Sequence, residues 1–309
     1  MVAMPGRSYR GDLPPLTEDE RRLRDGLARH VEVLADEIGE RHIWRGDTLD
    51  RAARYIEESL AASGFAVGTT AYQALHATVR TVVADLPGAD TPEEIVLVGA
   101  HYDSVVGCPG ANDNGTGVAA VLELARLLRH QRCARTVRFA AFPNEEPPFY
   151  FTRSMGSRVY ARECRERGDR IVAMLSLETI GCYADAKRTQ HYPFPFGLFY
   201  PHRGNFIGFV GNLRSRGLVR RCVGAFRRHD AFPSEGVAAP GYLPGIFWSD
   251  HWSFWREGYR AVMVTDTAPF RYRHYHTPQD TPDRVDFERT ARVVAGLAHV
   301  VGELAGRLP

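Results

Sequence analysis

Short apolar runs alternate with longer amphipathic segments along this chain. Six runs rich in β-branched and aromatic residues predict strands, at residues 78–86, 94–100, 136–142, 171–178, 206–211 and 259–265. Six segments with apolar residues three and four positions apart predict helices, at residues 17–39, 46–64, 115–130, 154–168, 212–229 and 286–306. Thr17 is a suitable N-cap for the first helix, and Gly64 is a suitable end for the second.

This alternation of strands and helices predicts an α/β protein. The expected architecture is a three-layer α/β/α sandwich, in which helices cover both faces of a central, mostly parallel mixed sheet. Residues 1–16 are polar and contain a Pro-Pro pair, so they are predicted to form a flexible arm. Because no linker or internal repeat divides the rest, residues 17–309 are predicted to form a single domain.

Two segments, residues 191–205 and 231–255, do not fit the regular pattern. Both are rich in Pro, Gly and aromatic residues. This composition is typical of loops that form the walls of a pocket, and equally of loops that pack as surface caps. Both interpretations stay open at this point.

Composition and charge exclude several classes of protein. The 309 residues are 44% hydrophobic and 25% charged, and 39 Lys and Arg nearly balance 37 Asp and Glu. Such a balance gives no strong field, so we expect no nucleic-acid partner and no membrane partner. The N-terminal sequence lacks the apolar run of a secretion signal, and the five cysteines are scattered without a CxxC pair. A cytoplasmic location is therefore expected.

Polar residues follow four of the predicted strands at the points where these strands end. They are His101 and Asp103, Asp113 and Asn114 in the next turn, the pair Glu145 and Glu146, Glu178, and His276. The carboxyl ends of parallel strands share one edge of a sheet, so these side chains are expected to converge. Imidazole nitrogen and carboxylate oxygen are zinc ligands, and two ions about 3.5–4 Å apart need a bridging carboxylate. The set is sufficient for two zinc ions.

Six fragments of the sequence carry a family resemblance. They are "HYDS", "GANDNGTG", "NEE", "LETIG", "SDHWSFW" and "YHTPQDT". In order and spacing they resemble the co-catalytic di-zinc aminopeptidases of metallopeptidase family twenty-eight. The resemblance is to the bacterial leucyl aminopeptidase and aminopeptidase Y type. These enzymes are related to the glutaminyl cyclases. The resemblance covers the chain from about residue 79 to the C-terminus and implies the fold of zinc peptidases and phosphorylase/hydrolase-like proteins.

The resemblance implies a role for each residue of the site. His101 and Glu178 would bind one zinc ion, Glu146 and His276 the second, and Asp113 would bridge the two.

Four further residues would act around the ions. Glu145 would be the general base, and Tyr275 is the candidate for stabilising the oxyanion. Asp103 would orient His101, and Asp250 would support the site by hydrogen bonds.

The predicted function is zinc-dependent hydrolysis of the N-terminal peptide bond of a peptide with a free amino terminus. Two ions are expected, although one is possible because Glu178 stands where the family often has aspartate. Two alternatives stay open: a single-zinc acyltransferase like the glutaminyl cyclases, and a catalytically silent binding domain of the same fold. An apolar first residue is expected from five aromatic residues of the irregular segments: Phe194, Phe196, Phe199, Phe247 and Trp248. The oligomeric state stays open.

Overall fold

One mixed sheet forms the centre of the protein. The computed structural model describes residues 3–308. The eight strands are β1 (Val67–Ala74), β2 (Ala77–Leu86), β3 (Thr91–His101), β4 (Arg135–Phe142), β5 (Arg170–Glu178), β6 (Ile207–Asn212), β7 (Ser234–Ala239) and β8 (Ala261–Thr265). Their order in the sheet is β1-β2-β4-β3-β5-β8-β6-β7.

Seven α-helices connect and cover the strands. They are α1 (Glu18–Glu32), α2 (Thr48–Ala62), α3 (Gly117–Leu128), α4 (Gly156–Arg167), α5 (Arg216–His229), α6 (His251–Arg256) and α7 (Phe287–Ala305). Two π-helical segments (Val33–Ile38 and Ala111–Thr116) and four 3-10 turns (Phe196–Leu198, Leu213–Ser215, Ala268–Phe270 and Pro282–Arg284) complete the regular structure. The predicted N-cap of α1 is confirmed, since the Thr17 hydroxyl accepts a hydrogen bond from the amide of Glu20.

The parallel part of the sheet lies at its middle. Strands β4, β3, β5 and β8 are neighbours and run in the same direction. The pairs β1/β2, β2/β4 and β6/β8 are antiparallel, whereas β6 and β7 are parallel. All four of the strand ends that precede the predicted site residues therefore lie side by side at one edge.

Alternate side chains of β3 point to the two helical layers. Val96, Val98 and Ala100 belong to the larger core, which contains apolar residues of α1, α2, α3, α5 and α7. Ile95 and Leu97 belong to a smaller core with residues of α4 and α6. Because both faces of this strand are buried from Ile95 onward, residues 95–100 are apolar without interruption. The predicted three-layer α/β fold is confirmed.

Three elements were not predicted. Strand β1 lies at the sheet edge, and most of its side chains are only partly buried or exposed. Strand β7 and helix α6 lie inside the segment 231–255, which was predicted to be irregular. That prediction was wrong because β7 is held by parallel pairing with β6, and α6 by burial of Phe254 in the smaller core. Tertiary contacts of this kind override weak local propensity.

The N-terminal segment lies against the domain. The Ser8 hydroxyl accepts a hydrogen bond from the amide of Ser234 at the start of β7, and Arg227 of α5 donates to the carbonyl of Pro5. The flexibility predicted for residues 1–16 stays a prediction. No helix among residues 3–308 is long and apolar enough to cross a membrane.

Candidate metal centre

The predicted ligands meet at the carboxyl edge of the parallel strands. His101 is the last residue of β3, and Glu178 is the last residue of β5. Glu145 and Glu146 follow β4, and His276 follows β8 in the segment that leads to α7. Asp113 lies in the π-helical turn before α3, where its backbone departs from helical geometry.

One group of donor atoms surrounds the imidazole of His101. Its Nε2 atom lies 3.3 Å from Oδ1 of Asp113 and 3.4 Å from Oε2 of Glu178. The three donor atoms are all within 4.8 Å of one another. The longer side chain of Glu178 therefore places its carboxylate within ligand distance of the same point as His101 and Asp113.

A second group of donor atoms shares Asp113 with the first. Nε2 of His276 lies 3.0 Å from Oδ2 of Asp113 and 3.3 Å from Oε2 of Glu146. The two carboxylate oxygens of Asp113 therefore face different histidines. This is the arrangement that a carboxylate bridging two cations requires.

Glu145 lies beside both groups. Its Oε2 atom is 4.0 Å from Nε2 of His101, and its side chain is nearly fully buried. Burial raises the pKa of Glu145 well above its usual range, and repulsion from Glu178 and Glu146 raises it further, although His101 opposes the shift.

Crowded carboxylates dominate the electrostatics of the site. Burial, then repulsion from Asp113, raises the pKa of Glu146 to about 7. Burial also raises the pKa of Glu178. Burial opposes ionisation of Asp113 too, but the adjacent imidazoles of His101 and His276 outweigh that effect and lower its pKa. Divalent cations between these groups would remove the repulsion.

The donor atoms themselves fit metal ions. Among residues 3–308, several buried polar atoms lack a hydrogen-bond partner: Nε2 of His101, both carboxylate oxygens of Asp113, Oε1 of Glu146 and Nε2 of His276. Buried polar atoms are normally satisfied, so unpaired atoms that converge on two points fit a site for two cations. Two imidazoles and three carboxylates are a suitable donor set for zinc.

Asp103 holds the turn that carries two acidic residues of the site. Its Oδ1 and Oδ2 atoms accept hydrogen bonds from the amides of Glu145 and Glu146, each at 3.0 Å. Oδ1 is also 3.4 Å from Nδ1 of His101, but the hydrogen-bond acceptor for that nitrogen is the backbone carbonyl of Asp103, at 3.2 Å. Asp103 thus contacts His101, the residue that the sequence predicted it would orient. Its carboxylate also anchors the backbone of Glu145 and Glu146, which the sequence did not indicate.

Asp250 lies close to the centre but does not support it by hydrogen bonds. Its carboxylate is fully buried, and neither oxygen has a hydrogen-bond partner among residues 3–308. Burial raises its pKa to about 7. The neighbouring Ser249 supports the site instead, since its hydroxyl donates to Oε2 of Glu178 at 2.6 Å.

Sequence reasoning also missed Asp280. Its Oδ1 and Oδ2 atoms accept the amides of Asn112 and Asp113, at 2.8 and 3.0 Å. The hydroxyl of Tyr272 donates to the same carboxylate. Asp280 follows the ligand His276 by four positions in "HTPQD", and a polar residue so close to a predicted ligand was the available signal.

Tyr275 lines an apolar pocket that also contacts Glu178. Its ring stacks on that of His276, with the centroids 3.9 Å apart. Burial raises the pKa of its phenol well above the usual range, and the carboxylates of the centre, Asp113 first, add to the shift. Among residues 3–308 its hydroxyl makes no hydrogen bond, so it is a neutral donor that is free to bind a ligand.

The pocket next to Glu178 adjoins a second apolar cavity. The pocket is lined by Trp248, Met263 and Tyr275, and the second cavity by Phe196, Tyr200 and Ile246. Both share the four lining residues Val210, Gly245, Thr267 and Phe270.

Two of the five aromatic residues predicted to form this wall do so. They are Phe196 and Trp248. Phe194 and Phe199 are 88% and 61% exposed, and Phe247 packs against Phe151 outside the pocket. The prediction was wrong for these three because composition does not tell which side of a loop faces inward.

Comparisons with known proteins agree with this geometry. The sequence model of "Peptidase family M28" matches residues 81–301. The uncharacterized protein YfbL of Escherichia coli (strain K12) is 38% identical over 281 residues, which cover 88% of this chain and 85% of YfbL. A probable leucine aminopeptidase 1 of Trichophyton verrucosum is 26% identical over 283 residues, which cover 85% of this chain and 69% of that protein.

A solved structure shares the fold. The zinc aminopeptidase BSAP from Bacillus subtilis superposes with a TM-score of 0.73 at 15% identity, over 92% of this chain and 95% of BSAP. At this level of identity the likeness concerns the architecture.

Proposed function

Because the chain belongs to peptidase family M28, we propose that it is a zinc-dependent aminopeptidase. It removes the first residue of peptides that have a free amino terminus. The observation that carries this proposal is the pair of donor groups that share Asp113, with Glu145 beside both of them. When bound, two zinc ions would lower the pKa of a coordinated water towards neutrality and polarise the scissile carbonyl.

We assign the ions to the two donor groups. His101 and Glu178 would hold the first ion, Glu146 and His276 the second, and Asp113 both. Ser249 fixes the orientation of Glu178, and Asp103 and Asp280 fix the turns that carry the other carboxylates.

Glu145 is the general base of this reaction. It lies nearly fully buried beside the first donor group, and its backbone amide is anchored by Asp103. Its pKa is raised by burial, so once ionised it is a stronger base than an exposed carboxylate. Glu145 takes the proton from the attacking water and returns it to the nitrogen of the leaving amine.

Tyr275 would donate its phenol proton in a hydrogen bond to the oxygen of the scissile carbonyl as negative charge develops there. The alternative donor in this region, Tyr150, already donates to the carbonyl of Phe247 at 3.3 Å. The free amino group of the substrate would lie against the carboxylates of Glu145 and Glu178, as an exopeptidase requires.

The pocket beside Glu178 suits a large apolar side chain. Trp248, Met263 and Phe270 line this pocket, and the adjoining cavity offers further apolar surface. We therefore expect leucyl and phenylalanyl substrates to react at least about ten times faster than glutamyl or lysyl substrates, since burying one large apolar side chain contributes about 1.5–3 kcal/mol.

Two alternatives are less well supported. A single-zinc cyclase needs only one donor group, whereas this site has two donor groups that share Asp113. A silent binding domain would lack the ligands or the base, and all of them converge here.

The experiment is hydrolysis of L-leucyl p-nitroanilide by the purified protein, with N-acetyl-L-leucyl p-nitroanilide as the blocked control. We expect turnover of the free amine only, loss of activity with 1,10-phenanthroline, and recovery when zinc is added back. Glutaminyl p-nitroanilide is followed in parallel by mass spectrometry for a cyclised product.

Each result has a definite meaning. Chelator-resistant hydrolysis would exclude the zinc mechanism, and cleavage of the acetylated control would exclude an aminopeptidase. Cyclisation without hydrolysis would favour the acyltransferase, and a zinc-loaded protein without any turnover would favour the binding domain.

We also propose that this is a cytoplasmic protein whose catalytic domain begins at residue 17. All five cysteines are free, and four of them are buried, which suits a reducing compartment. Nearly balanced charge and the active-site chemistry suit a peptide partner rather than nucleic acid or a membrane surface.

A further inference from the structure

Arg41 is a fully buried arginine that lies beside the metal centre. It has no exposed surface, and it follows the π-helical end of α1 by three residues. Within residues 3–308 its guanidinium forms no ion pair with a carboxylate and donates only to backbone carbonyl oxygens. Buried arginines usually have a carboxylate partner, so this one needs an explanation.

The carbonyl groups that Arg41 binds lie on both sides of the metal centre. Its Nε atom donates to the carbonyl of Tyr102, at 2.7 Å, directly after the ligand at the end of β3. Its Nη2 and Nη1 atoms donate to the carbonyls of Gly110 and Pro109, at 2.8 and 2.5 Å. These two residues lead into the turn that carries Asp113.

The backbone of Arg41 adds a second connection to the same segment. Its amide donates to the hydroxyl of Ser104 at 3.0 Å, and its carbonyl accepts the amide of Ser104 at 2.9 Å. The Ser104 hydroxyl in turn donates to the carbonyl of Cys108. The guanidinium also donates to the carbonyls of Leu34 and Gly39, which ties the whole unit to the end of α1.

The negative charges around Arg41 suit a cation next to the proposed metal centre. Burial lowers the pKa of its guanidinium, and the negative charges of Asp103, Asp280 and Asp113 oppose that effect. These three carboxylates either bind the proposed ions or hold the ligand turns. A cation at this place offsets part of their mutual repulsion.

We propose that Arg41 is a positioning residue of the metal centre. Its guanidinium fastens the segment after β3 to the turn before α3, and this contact sets the separation between Nε2 of His101 and the carboxylate of Asp113. This inference rests on the zinc site assigned under the proposed function. The zinc content of the unmodified protein tests that site by itself, so failure of one is distinguishable from failure of the other.

The fork of the guanidinium is essential to this role. Arginine has five N–H donors in a rigid plane, whereas lysine has three donors on one nitrogen. The Nε and Nη atoms of Arg41 reach carbonyls of Tyr102, Pro109 and Gly110 simultaneously. A lysine keeps the charge but joins fewer of these groups.

The experiment compares Arg41→Met and Arg41→Lys with a matched control, Arg227→Met. Arg227 is also largely buried and also donates to backbone carbonyls, those of Pro5, Gly6 and Ser234, but it lies between α5 and β7, away from the centre. Zinc affinity is measured by competition with a chromophoric chelator, zinc content by mass spectrometry, and ligand geometry by the visible spectrum of the cobalt-substituted proteins. Circular dichroism identifies the folded fraction.

We expect folded Arg41→Met to bind zinc about 10 to 100 times more weakly than the unmodified protein, which is the usual effect of removing a group that orients metal ligands. The ion at His101 should be lost first, and the cobalt spectrum should change. Arg41→Lys should recover only part of the affinity. Arg227→Met should lower the thermal midpoint while it leaves zinc affinity and the cobalt spectrum unchanged.

Three results would overturn the inference. They are a zinc affinity and cobalt spectrum of folded Arg41→Met within twofold of the unmodified protein, full recovery by Arg41→Lys, or an equal loss of affinity in Arg227→Met. If Arg41→Met does not fold, Arg41→Lys decides the question by the same criterion. An unmodified protein that binds no zinc would instead refute the proposed function.

Discussion

Replacing Glu145 by glutamine separates catalysis from metal binding. Glutamine has the same shape, and the turn stays anchored because the bond from Asp103 is to the backbone amide of residue 145. The substitution removes a carboxylate that lies 4.0 Å from Nε2 of His101 and is not among the proposed ligands. We therefore expect Glu145→Gln to fold and to retain two zinc ions.

The size of the effect follows from the role of this carboxylate. General acid–base catalysis contributes about 10²–10⁴-fold. Glu145 is assigned both to proton removal and to proton return, so the upper part of the range applies. A fall in kcat of about 10³–10⁴-fold equals about 4–5.5 kcal/mol of transition-state stabilisation. KM for leucyl p-nitroanilide should change much less.

The assay is steady-state hydrolysis combined with zinc analysis of the same sample, and Glu146→Gln is the matched control. The neighbouring substitution changes a proposed ligand, so it should lose one ion together with activity. If Glu145→Gln kept two zinc ions and lost less than tenfold in kcat, Glu145 would not be the base. If it lost an ion, Glu145 would be a ligand, an arrangement open to the group of His101, Glu145 and Glu146.

Three further substitutions test the surroundings of the site. Asp113→Ala should lose both zinc ions, because each donor group uses one of its oxygens; two ions in elemental analysis would contradict the bridge. Gly110→Ala should weaken zinc binding, because a Cβ there would meet the carbonyl oxygen of Asp113 at 2.4 Å. The control is Gly107→Ala, which has a similar positive φ but open space around the Cβ and should leave zinc binding unchanged. Burial raises the pKa of Asp230 from 3.8 to about 7, so the folded state binds this proton more tightly and stability falls as pH rises between these values. Asp230→Asn should therefore raise the free energy of unfolding at pH 8 by up to about 4 kcal/mol and not at pH 4, because the shift is about three pKa units at about 1.4 kcal/mol each. Equal denaturation curves at pH 8 would refute this.

The sequence was sufficient to predict the parallel middle of the sheet. Strands β3, β4, β5 and β8 are buried on both faces, so each has a continuous apolar run that ends abruptly in polar residues. The edge of the sheet is different. Strand β7, with the sequence "SEGVAA", has low intrinsic strand propensity and exists because β6 supplies a parallel partner. The local sequence of β7 does not indicate that β6 will pair with it.

The proposed ligands could be predicted from the sequence, whereas the residues that hold the ligand turns could not. His101 and Glu178 end their strands, and the other proposed ligands lie in segments that follow strands of the parallel part of the sheet. Their positions along the chain therefore indicate their positions in space. Asp280 acts on the amides of residues 112 and 113 from a distant segment, and Arg41 lies 69 positions from the carbonyl of Gly110 that it binds. Neither contact has a regular spacing, so only the three-dimensional structure shows it.

The supports follow a common physical rule. Asp103 and Asp280 each use two carboxylate oxygens to accept the amides of two consecutive residues, and in both cases the second residue is a proposed ligand. Arg41 performs the complementary task for carbonyl groups of the segment between His101 and Asp113. Ligand turns without regular secondary structure leave backbone donors and acceptors unpaired, and buried charges satisfy them more strongly than neutral groups do. Rigid support of this kind lets the protein keep several repelling carboxylates in place, so we expect the proposed metal centre to depend on these three charged residues as well as on its ligands.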